Sequence, residues 1–274
     1  MNTEMNVALV QMKCRTGNDE NMAVALGKCR EAAENGADFV VLPEMFSCPY
    51  KTSNFPVYAQ KTGGKNWQLL SAAAKELGIY LVAGSMPEED GGKIYNTCYV
   101  FDRSGKQIAM HRKMHLFDCD LPTVQFHESE TLTAGNAVTT FDTEYGTAGL
   151  MICFDIRFPE LSRLMVDKGA QFIIVPAAFN MTSGPNWWEL MFRTRAADNQ
   201  VYMIGCGPAR DEKASYVAWG HSIVVDPSGK VLAQLDEKEA ILYYDLDVAK
   251  VEDYRNQYRI LKARRLDLYR LWEI

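Results

Sequence analysis

Short apolar runs alternate with longer amphipathic segments along most of the chain. Four runs in the first part of the chain are rich in β-branched and aromatic side chains, at 6–12, 39–42, 80–83 and 97–101. They lack strict polar–apolar alternation, which is typical of strands buried on both faces in a sheet that helices cover. The amphipathic stretches from about residue 18 to Gly36 and over 66–77 predict helices that end at glycines. A strand at 106–109 closes this first unit.

The same order of elements recurs after residue 147. Strands are predicted at 149–153, 172–175, 201–205, 222–225 and 230–233, and helices at 159–169 and 187–198. TCYVFDRSGKQIA of the first half corresponds to HSIVVDPSGKVLA of the second. We interpret the chain as one domain, 1–274, built from two β-α-β-α-β-β halves at about 1–109 and 148–247. The expected fold class is α/β, a four-layer αββα sandwich of two sheets with helices on both outer faces.

Segment 110–147 joins the halves and is too long for an ordinary connection. It holds Lys113, His115, His127 and Glu128 among too many apolar residues for a disordered linker. We therefore expect this connector to carry function. The tail 248–274 predicts a short helix and an extended arm, whose apolar and aromatic side chains need burial against a partner subunit.

Composition narrows the class of protein. Hydrophobic residues make up 47% and charged residues 23% of the 274 positions, which is typical of a globular protein and argues against a disordered or fibrous one. The net charge of −6 argues against nucleic acid or an anionic membrane as a partner. No apolar run has the roughly 18 residues that span a bilayer, and the first residues show no signal-peptide pattern. Seven scattered cysteines predict reduced thiols in a cytoplasmic protein.

Three positions carry candidate chemistry, each where a predicted strand ends. Glu44 in FVVLPEMF is either a helix-capping or solvated acid, or a partly buried general base. Cys153 in GLMICFDIRFPE precedes the helix predicted from Pro159, and backbone N–H groups and Arg157 would favour a nucleophilic thiolate there. Lys113 in HRKMHLFD is either an ordinary surface lysine or an inward-facing ammonium that stabilises an oxyanion.

Metal and cofactor chemistry find no support in the sequence. His111 and His115 are four residues apart with Asp118 near, but no helix is predicted that would turn both toward one metal ion. The GGK sequences at 63–65 and 91–93 lack the upstream glycine and the following Ser or Thr of a phosphate-binding loop. The chain has no G-x-S-x-G nucleophile elbow. We expect no metal and no cofactor.

The motifs around the three candidate residues resemble those of the nitrilase, or carbon–nitrogen hydrolase, superfamily. Glu44 in LPEMF, Lys113 in RKMHLFD and Cys153 in ICFDIRFPE match its Glu–Lys–Cys triad in order, and the resemblance spans essentially the whole chain. It implies the αββα sandwich and a homodimer that pairs through the face of the Cys-bearing helix, with the C-terminal arm in the contact. It also implies that Glu128 in FHESETL is the family's second glutamate, which positions substrate and water.

Within the superfamily the likeness is greatest to the ω-amidases, which remove the distal amide of 2-oxoglutaramate and 2-oxosuccinamate. HLFDCDLP, PAAFNMTSGP and ARDEKASYVAWGHS carry this likeness. It implies that a small-molecule amide is hydrolysed through a thioester on Cys153, with Glu44 as base and acid. Lys113 and the backbone N–H of Phe154 would then hold the oxyanion.

A small dicarboxylate monoamide also needs a cation for its far carboxylate. Arg157, four residues after the nucleophile, is our first choice and Arg195 our second, and for each the alternative is a structural ion pair. By analogy with the family, four further residues are expected to line the substrate pocket: Tyr50, Phe117, Phe179 and Asn180.

Two other functions stay open at this point. Another amidase of the superfamily, acting on deaminated glutathione or an N-carbamoyl compound, would share the triad. The deaminated glutathione amidases, however, look less like this sequence around DEKASYVAWGHS. The third hypothesis is a non-catalytic binding protein on the same fold. The intact Glu–Lys–Cys set argues against it, because a scaffold has no reason to keep all three residues.

Overall fold

A computed structural model describes residues 3–121 and 124–274 of the chain. The strands are, in chain order, β1 (Glu4–Gln11), β2 (Phe39–Val41), β3 (Tyr80–Val82), β4 (Met86–Asp90), β5 (Lys93–Phe101), β6 (Gln107–Arg112), β7 (Asp118–Leu121), β8 (Val124–His127), β9 (Thr139–Thr143), β10 (Gly146–Leu150), β11 (Phe172–Pro176), β12 (Tyr202–Cys206), β13 (Ile223–Val225), β14 (Val231–Gln234) and β15 (Ala240–Asp247). The helices are α1 (Asn18–Glu34), α2 (Phe55–Tyr58), α3 (Lys65–Leu77), α4 (Pro159–Asp167), α5 (Gly184–Asn199) and α6 (Ala249–Gln257). Short 3₁₀ segments lie at Thr52–Asn54, Glu128–Glu130, Cys153–Arg157 and Leu261–Ala263. None of the helices in the described ranges is long and apolar enough to cross a membrane.

Two sheets form the centre of the molecule. The first has the order β15-β1-β2-β3-β5-β4, with β6 also paired to β5, and the second has the order β14-β13-β12-β11-β10-β9. The central strands β1, β2 and β3 are parallel, as are β10, β11 and β12. Every residue of β2 and β11 is buried, because both faces of these strands are covered. Strands β7 and β8 form a separate hairpin.

The inner faces of the two sheets share one hydrophobic core. Val7 and Val41 of the first sheet belong to the same buried cluster as Leu150 and Ile173 of the second. Side chains on the outer face of the first sheet, such as Val40, pack with residues of α1 and α3. Helices α4 and α5 lie against β10 and β12 of the second sheet. The predicted four-layer αββα sandwich is therefore confirmed.

Of the strands that the sequence pattern does not predict, β4, β9 and β15 lie at the edges of the two large sheets, and β7 and β8 form the separate hairpin. An edge strand is covered less than a central one, so it can be formed by a polar sequence such as TTFDT in β9. Such a sequence contains no continuous apolar run by which a strand could be predicted. For β15, the partner strand is also distant in the sequence. Strand β15 pairs antiparallel with β1 over the full length of both, from Glu4↔Asp247 to Gln11↔Ala240.

The corresponding turns of the two halves have the same hydrogen bonds. Asp102 and Asp226 each accept bonds through Oδ1 from the backbone N–H groups two and four residues further on, at 2.8 and 3.0 Å. The division of the chain into two repeated halves stays a prediction. The topology places Glu44 after β2, Lys113 after β6 and Cys153 after β10.

Candidate active site

Glu44 lies three residues beyond β2, inside the molecule. Its Oε1 accepts hydrogen bonds from Asn96 Nδ2 at 2.9 Å and from Lys113 Nζ at 3.0 Å, and its Oε2 accepts one from the Ala178 N–H at 2.7 Å. The backbone is tight here. A Cβ at Gly84 (φ +48) would lie 2.2 Å from the carbonyl oxygen just before Glu44. Glu44 is thus an enclosed, hydrogen-bonded carboxylate rather than a solvated one.

Lys113 follows β6 directly, and its side chain is fully enclosed. Its ammonium donates to Glu44 Oε1 at 3.0 Å and to Glu128 Oε1 at 2.9 Å. Burial alone would lower the pKa of Lys113, but the carboxylates of Glu128 and Glu44 outweigh it and raise this pKa well above its ordinary value. Lys113 is therefore a permanently charged interior cation, not a surface lysine.

Glu128, at the start of the 3₁₀ segment after β8, supplies the second carboxylate. Its Oε2 accepts from the Phe117 N–H at 2.7 Å, and its Oε1 accepts from the Tyr50 hydroxyl at 2.6 Å. The same hydroxyl lies 3.1 Å from Glu44 Oε1. Burial raises the pKa of Glu128; Lys113 opposes this rise and Glu44 adds to it. We call Lys113, Glu44, Glu128 and Tyr50 the Lys113 cluster.

Cys153 lies three residues beyond β10 and is 7% exposed. The predicted strand 149–153 ends at Leu150, and the cysteine instead begins the 3₁₀ segment Cys153–Arg157. Its φ of +47° lies in the left-handed region, which residues other than glycine seldom adopt. Such strain persists only where surrounding contacts hold it, and it clusters at functional sites.

The expectation that Cys153 has a lowered pKa is wrong. Burial raises the pKa of the Cys153 thiol well above its ordinary value, and the Glu44 carboxylate adds to this rise while Lys113 opposes it. Helix α4 begins only at Pro159, six residues later, so the cysteine does not stand at a helix N-terminus. The resting sulfur is a thiol, and its proton must pass to a base as the sulfur attacks.

Asp155 is a buried residue that the sequence reasoning did not identify. Its Oδ2 accepts from the Ile152 N–H at 3.1 Å, just before Cys153. Its Oδ1 accepts from the N–H groups of Met114 and His115, at 3.2 and 2.9 Å, just after the catalytic lysine candidate. One carboxylate thereby ties the cysteine turn to the lysine segment. The signal was the acid inside the motif ICFDIRFPE, whose role depends on a partner segment about 40 residues away.

The two histidines considered as metal ligands belong to the same network. His111 Nε2 lies 3.0 Å from Asp155 Oδ2, and His115 Nδ1 lies 2.7 Å from Asp155 Oδ1. The other ring nitrogen of His111 lies 2.9 Å from Thr139 Oγ1. Burial would raise the pKa of Asp155, but these hydrogen bonds hold it well below its usual range. The histidines thus contact a structural carboxylate.

A narrow cavity of about 20 Å³ borders Cys153. The side chains around it include Tyr50, Phe117, Phe154, Arg157, Phe179, Trp187 and Tyr216. Trp187 and Tyr216 were not predicted, although Tyr216 stands in ARDEKASYVAWGHS. Tyr216 stacks on Tyr50 with ring centroids 4.5 Å apart. A second cavity, of about 390 Å³, is lined by Glu44 and shares Tyr50 and Tyr216 with the narrow cavity beside Cys153, so the larger space lies next to the smaller one.

Arg157 brings a cation to the wall of the Cys153 cavity. Its guanidinium lies over the Trp187 ring, 4.2 Å from the centroid. Within the described part of the chain, Nη1 of Arg157 is buried without a hydrogen-bond partner. A buried guanidinium nitrogen with unused bonding capacity can donate to an anionic group that enters the cavity.

Two predicted pocket residues need correction. In the ranges that the structure covers, neither Arg195 nor Asn180 borders the Cys153 cavity. Arg195 donates from Nε to the Ile156 carbonyl at 2.9 Å and from Nη2 to the Arg157 carbonyl at 3.1 Å. Its guanidinium is therefore hydrogen-bonded to the backbone. Asn180 Oδ1 accepts from the Ser183 N–H at 2.9 Å at the start of α5. Both residues hold the walls of the site in place.

A buried thiol, a carboxylate that can take its proton and a fixed ammonium together suit nucleophilic acyl transfer with a stabilised oxyanion. Among residues 3–121 and 124–274 there is no group of three or more His, Cys, Asp and Glu side chains that could hold a metal ion.

Comparison with known protein families gives one match that covers most of the chain. Residues 6–256 match the model of the family described as carbon-nitrogen hydrolase. The chain is 51% identical over 264 residues to "Omega-amidase NIT2" of Mus musculus, which covers 96% of each chain. It is 49% identical over 268 residues to "Omega-amidase NIT2" of Homo sapiens, which covers 97% of each.

The fold of the chain is also similar to solved structures of nitrilase-superfamily proteins and amidases. Nit3 of Saccharomyces cerevisiae, a member of branch 10 of the nitrilase superfamily, has a TM-score of 0.89 at 43% identity over 97% of this chain and 98% of its own. A variant amidase from Nesterenkonia sp. AN1, which carries the acetamide moiety of fluoroacetamide covalently on its active site cysteine, has a TM-score of 0.81 at 25% identity over 98% of this chain and 96% of its own.

Proposed function

This chain belongs to the carbon–nitrogen hydrolase family, and on that premise we propose that it is an ω-amidase. Its substrates would be small 2-oxo dicarboxylate monoamides, 2-oxoglutaramate and 2-oxosuccinamate, and its products the dicarboxylate and ammonia. The observation that carries the chemistry is the enclosed ammonium of Lys113 between the carboxylates of Glu44 and Glu128. About half of the residues are identical to those of proteins named omega-amidase over nearly the whole length of the chain, and this supports the substrate class.

The first half of the proposed reaction forms a thioester. Glu44 takes the proton of the Cys153 thiol as the sulfur attacks the amide carbon, since burial keeps that thiol protonated at rest. The ammonium of Lys113 and the N–H of Phe154 stabilise the oxyanion, and one such donor is typically worth about 3–4 kcal/mol. Glu44 then gives its proton to the nitrogen, the C–N bond breaks, and ammonia leaves.

The second half of the reaction hydrolyses the thioester. Glu44, again a carboxylate, takes a proton from water as the water oxygen attacks the thioester carbon. Glu128 fixes the geometry of that water from its place beside Lys113. The tetrahedral intermediate collapses, the C–S bond breaks, and the sulfur recovers its proton from Glu44. A buried carboxylate that acts in both directions is typical of general acid–base catalysis.

Arg157 is the cation that we assign to the far carboxylate of the substrate. Its buried Nη1 has no partner among the described residues, and it borders the cavity of the nucleophile. Arg195, our second choice from sequence, has its guanidinium on backbone carbonyls. Phe117, Phe154 and Phe179 supply apolar walls around the reacting carbon.

We also propose that the enzyme is a cytoplasmic homodimer. All seven cysteines are unpaired, which fits a reducing compartment. The arm 258–274 leaves large apolar side chains exposed, among them Leu268 at 70% and Trp272 at 69%. A partner subunit would bury such a surface. Removal of residues 258–274 is expected to yield a monomer in analytical ultracentrifugation, while the full chain sediments as a dimer.

The test of the proposed function is ammonia release from 2-oxoglutaramate, measured beside deaminated glutathione at equal concentrations. We expect turnover of the first substrate, little of the second, and none with the Cys153→Ala variant, which loses only a small volume and folds normally. Turnover of deaminated glutathione alone would contradict the substrate assignment. Activity of Cys153→Ala equal to that of the unaltered chain would exclude the mechanism.

A further inference from the structure

The hydroxyl of Tyr50 lies between the two buried carboxylates of the Lys113 cluster. It is 2.6 Å from Glu128 Oε1 and 3.1 Å from Glu44 Oε1, the same two oxygens that Lys113 Nζ contacts at 2.9 and 3.0 Å. The hydroxyl and the ammonium thus bridge the same pair of oxygens. The sequence predicts Tyr50 in the pocket wall, and these contacts place its hydroxyl between the carboxylates of Glu44 and Glu128.

In the proposed reaction one glutamate must take the proton of Cys153, and the contacts of Lys113 do not determine which one. Glu44 and Glu128 are both enclosed and lie at nearly equal distances from the ammonium, yet only one of them must take the proton of Cys153. Each also receives one backbone N–H bond of 2.7 Å on its second oxygen. A carboxylate with fewer donors is the better proton acceptor, because donors stabilise the charged form.

Without the Tyr50 hydroxyl, Glu128 would have fewer hydrogen-bond donors than Glu44 and would compete with it for the proton of Cys153. Among the described residues Glu44 has the side-chain donors Lys113 and Asn96, whereas Glu128 has Lys113 alone. Glu128 would then be the stronger base of the two. The single proton of the Tyr50 hydroxyl goes to Glu128, since that bond is 2.6 Å long against 3.1 Å to Glu44, and an O–H···O⁻ bond of about 2.6 Å is of the strong, charge-assisted kind. The two glutamates then have equal numbers of donors, and the hydrogen bond between the Cys153 thiol and Glu44 makes Glu44 the acceptor of the proton.

Tyr50 can act as this donor throughout the working pH range. Burial raises the pKa of Tyr50 well above its ordinary value, and the charges of Glu128 and Glu44 raise it further. The ring is held in place by stacking on Tyr216, at 4.5 Å between centroids, and by an edge contact with Phe55 at 5.6 Å. The hydroxyl therefore keeps its own proton and a fixed position.

We propose that Tyr50 is a positioning residue of the reaction: its hydrogen bond lowers the affinity of Glu128 for a proton, so that Glu44 receives the proton of Cys153. In the acylation step the S–H bond of Cys153 breaks and an O–H bond forms on Glu44, while the Tyr50 proton stays on its oxygen and bonded to Glu128. Once Glu44 is neutral, the ammonium of Lys113 is freer to serve the new oxyanion. This inference rests on the proposed amide hydrolysis and assigns a further residue to it.

The test is the Tyr50→Phe variant, which removes one oxygen and keeps the ring contacts. With 2-oxoglutaramate, we expect ammonia release in the first turnover to slow about 100-fold, which corresponds to the loss of one strong hydrogen bond to a charged group. KM should change by less than about threefold, because the lost interaction is made in the transition state. Rapid-quench measurement of ammonia separates this step from later hydrolysis.

A second variant separates a proton-directing role from a merely structural one. In Glu128→Gln the competing base is gone, so adding Tyr50→Phe to it should leave first-turnover ammonia release within about twofold of Glu128→Gln alone. The double variant is thus expected to be faster in this step than Tyr50→Phe. The control is Tyr99→Phe, which removes another buried hydroxyl, whose hydrogen-bond partner among the described residues is Thr62 Oγ1 at 3.0 Å and not a member of the Lys113 cluster. It should keep the full rate.

Three outcomes would overturn the inference about Tyr50: an unchanged first turnover in Tyr50→Phe, a rise in KM alone, or a double variant slowed by the product of the two single effects. A Tyr99→Phe variant slowed as much as Tyr50→Phe would also overturn it, since any lost buried hydroxyl would then suffice. Failure of the unaltered enzyme to hydrolyse 2-oxoglutaramate would instead sink the proposed function.

Discussion

Two adjacent cations, Arg112 and Lys113, each bind two carboxylates and have different consequences. Arg112 donates to Glu88 through Nε at 2.7 Å and Nη2 at 2.9 Å, and its Nη2 also lies 2.8 Å from Asp90. We call these three residues the Arg112 cluster. Lys113 donates to its two glutamates at similar distances. The Arg112 side chain is 22% exposed, whereas that of Lys113 is fully enclosed.

The two cations differ in their effect on the pKa of the carboxyl groups beside them. Burial would raise the pKa of Glu88, but the fork of Arg112 and two threonine hydroxyls hold it below its ordinary value. In the Lys113 cluster burial prevails, and the pKa of Glu128 is raised. A bidentate guanidinium fixes a carboxylate as an anion, while a point charge shared in a dry site leaves two carboxylates competing for protons. The first arrangement suits a structural role and the second proton transfer.

The largest effect is expected from removing each cation in turn. Lys113→Met should lower kcat by at least about 10³-fold, because the proposed oxyanion donor is lost and two buried carboxylates lose their counter-charge. Arg112→Met should keep kcat within about threefold and lower stability instead. Ammonia release and urea unfolding of both variants check this. A Lys113→Met enzyme with a tenth of normal activity would remove the distinction between the clusters.

A smaller effect, and a pH dependence, is expected from Glu88→Gln. This change should cost about 3 kcal/mol of unfolding free energy at pH 7, since it breaks a buried ion pair. The folded pKa of Glu88 lies below the unfolded value of about 4.3, so its stabilisation is full above that pH and is lost as the pH falls below it. Urea unfolding at pH 7 and pH 3.5 should therefore show a cost that shrinks in acid. A cost that grows in acid would contradict the lowered pKa.

The smallest effect is expected from Asp90→Asn. Asp90 shares Arg112 with Glu88, but its side chain is 61% exposed. An exposed ion pair contributes about 0.5 kcal/mol, and salt screens it. Unfolding in low and high salt should show a small cost that disappears in high salt. A loss as large as that of Glu88→Gln would mean that exposure does not separate the two acids.

The sequence was sufficient for residues whose position depends on local pattern. Glu44 and Cys153 each follow an apolar run, Lys113 follows strand β6, and the topology brings these strand ends together. Two kinds of feature were beyond it. Tyr50 and Glu128 are 78 residues apart, and no pattern along the chain predicts their 2.6 Å bond. The state of the Cys153 thiol depends on carboxylates buried beside it, so motif reasoning gave the wrong direction for its pKa.

Edge strands and residues of the pocket wall were predicted poorly for a related reason. The antiparallel pairing of β15 with β1 joins segments more than 220 residues apart, and the polar strand β9 offers no apolar run. Arg195 was a plausible cation by sequence, but the backbone carbonyls that occupy it belong to the turn after Cys153, some 39 residues away. Long-range contacts decided the cases of β15 and Arg195, whereas β9 pairs with the next strand, β10, and lacks only an apolar pattern.

The central claim is that Cys153 forms a thioester with the substrate while the Lys113 cluster directs its proton. The most direct test is mass spectrometry of the Glu128→Gln variant, quenched in acid during turnover of 2-oxoglutaramate and digested. The account predicts an acyl adduct, with the mass of the substrate less ammonia, on the peptide that contains Cys153. Ammonia release without such an adduct, or an adduct on Cys14 or Cys119 instead, would contradict it.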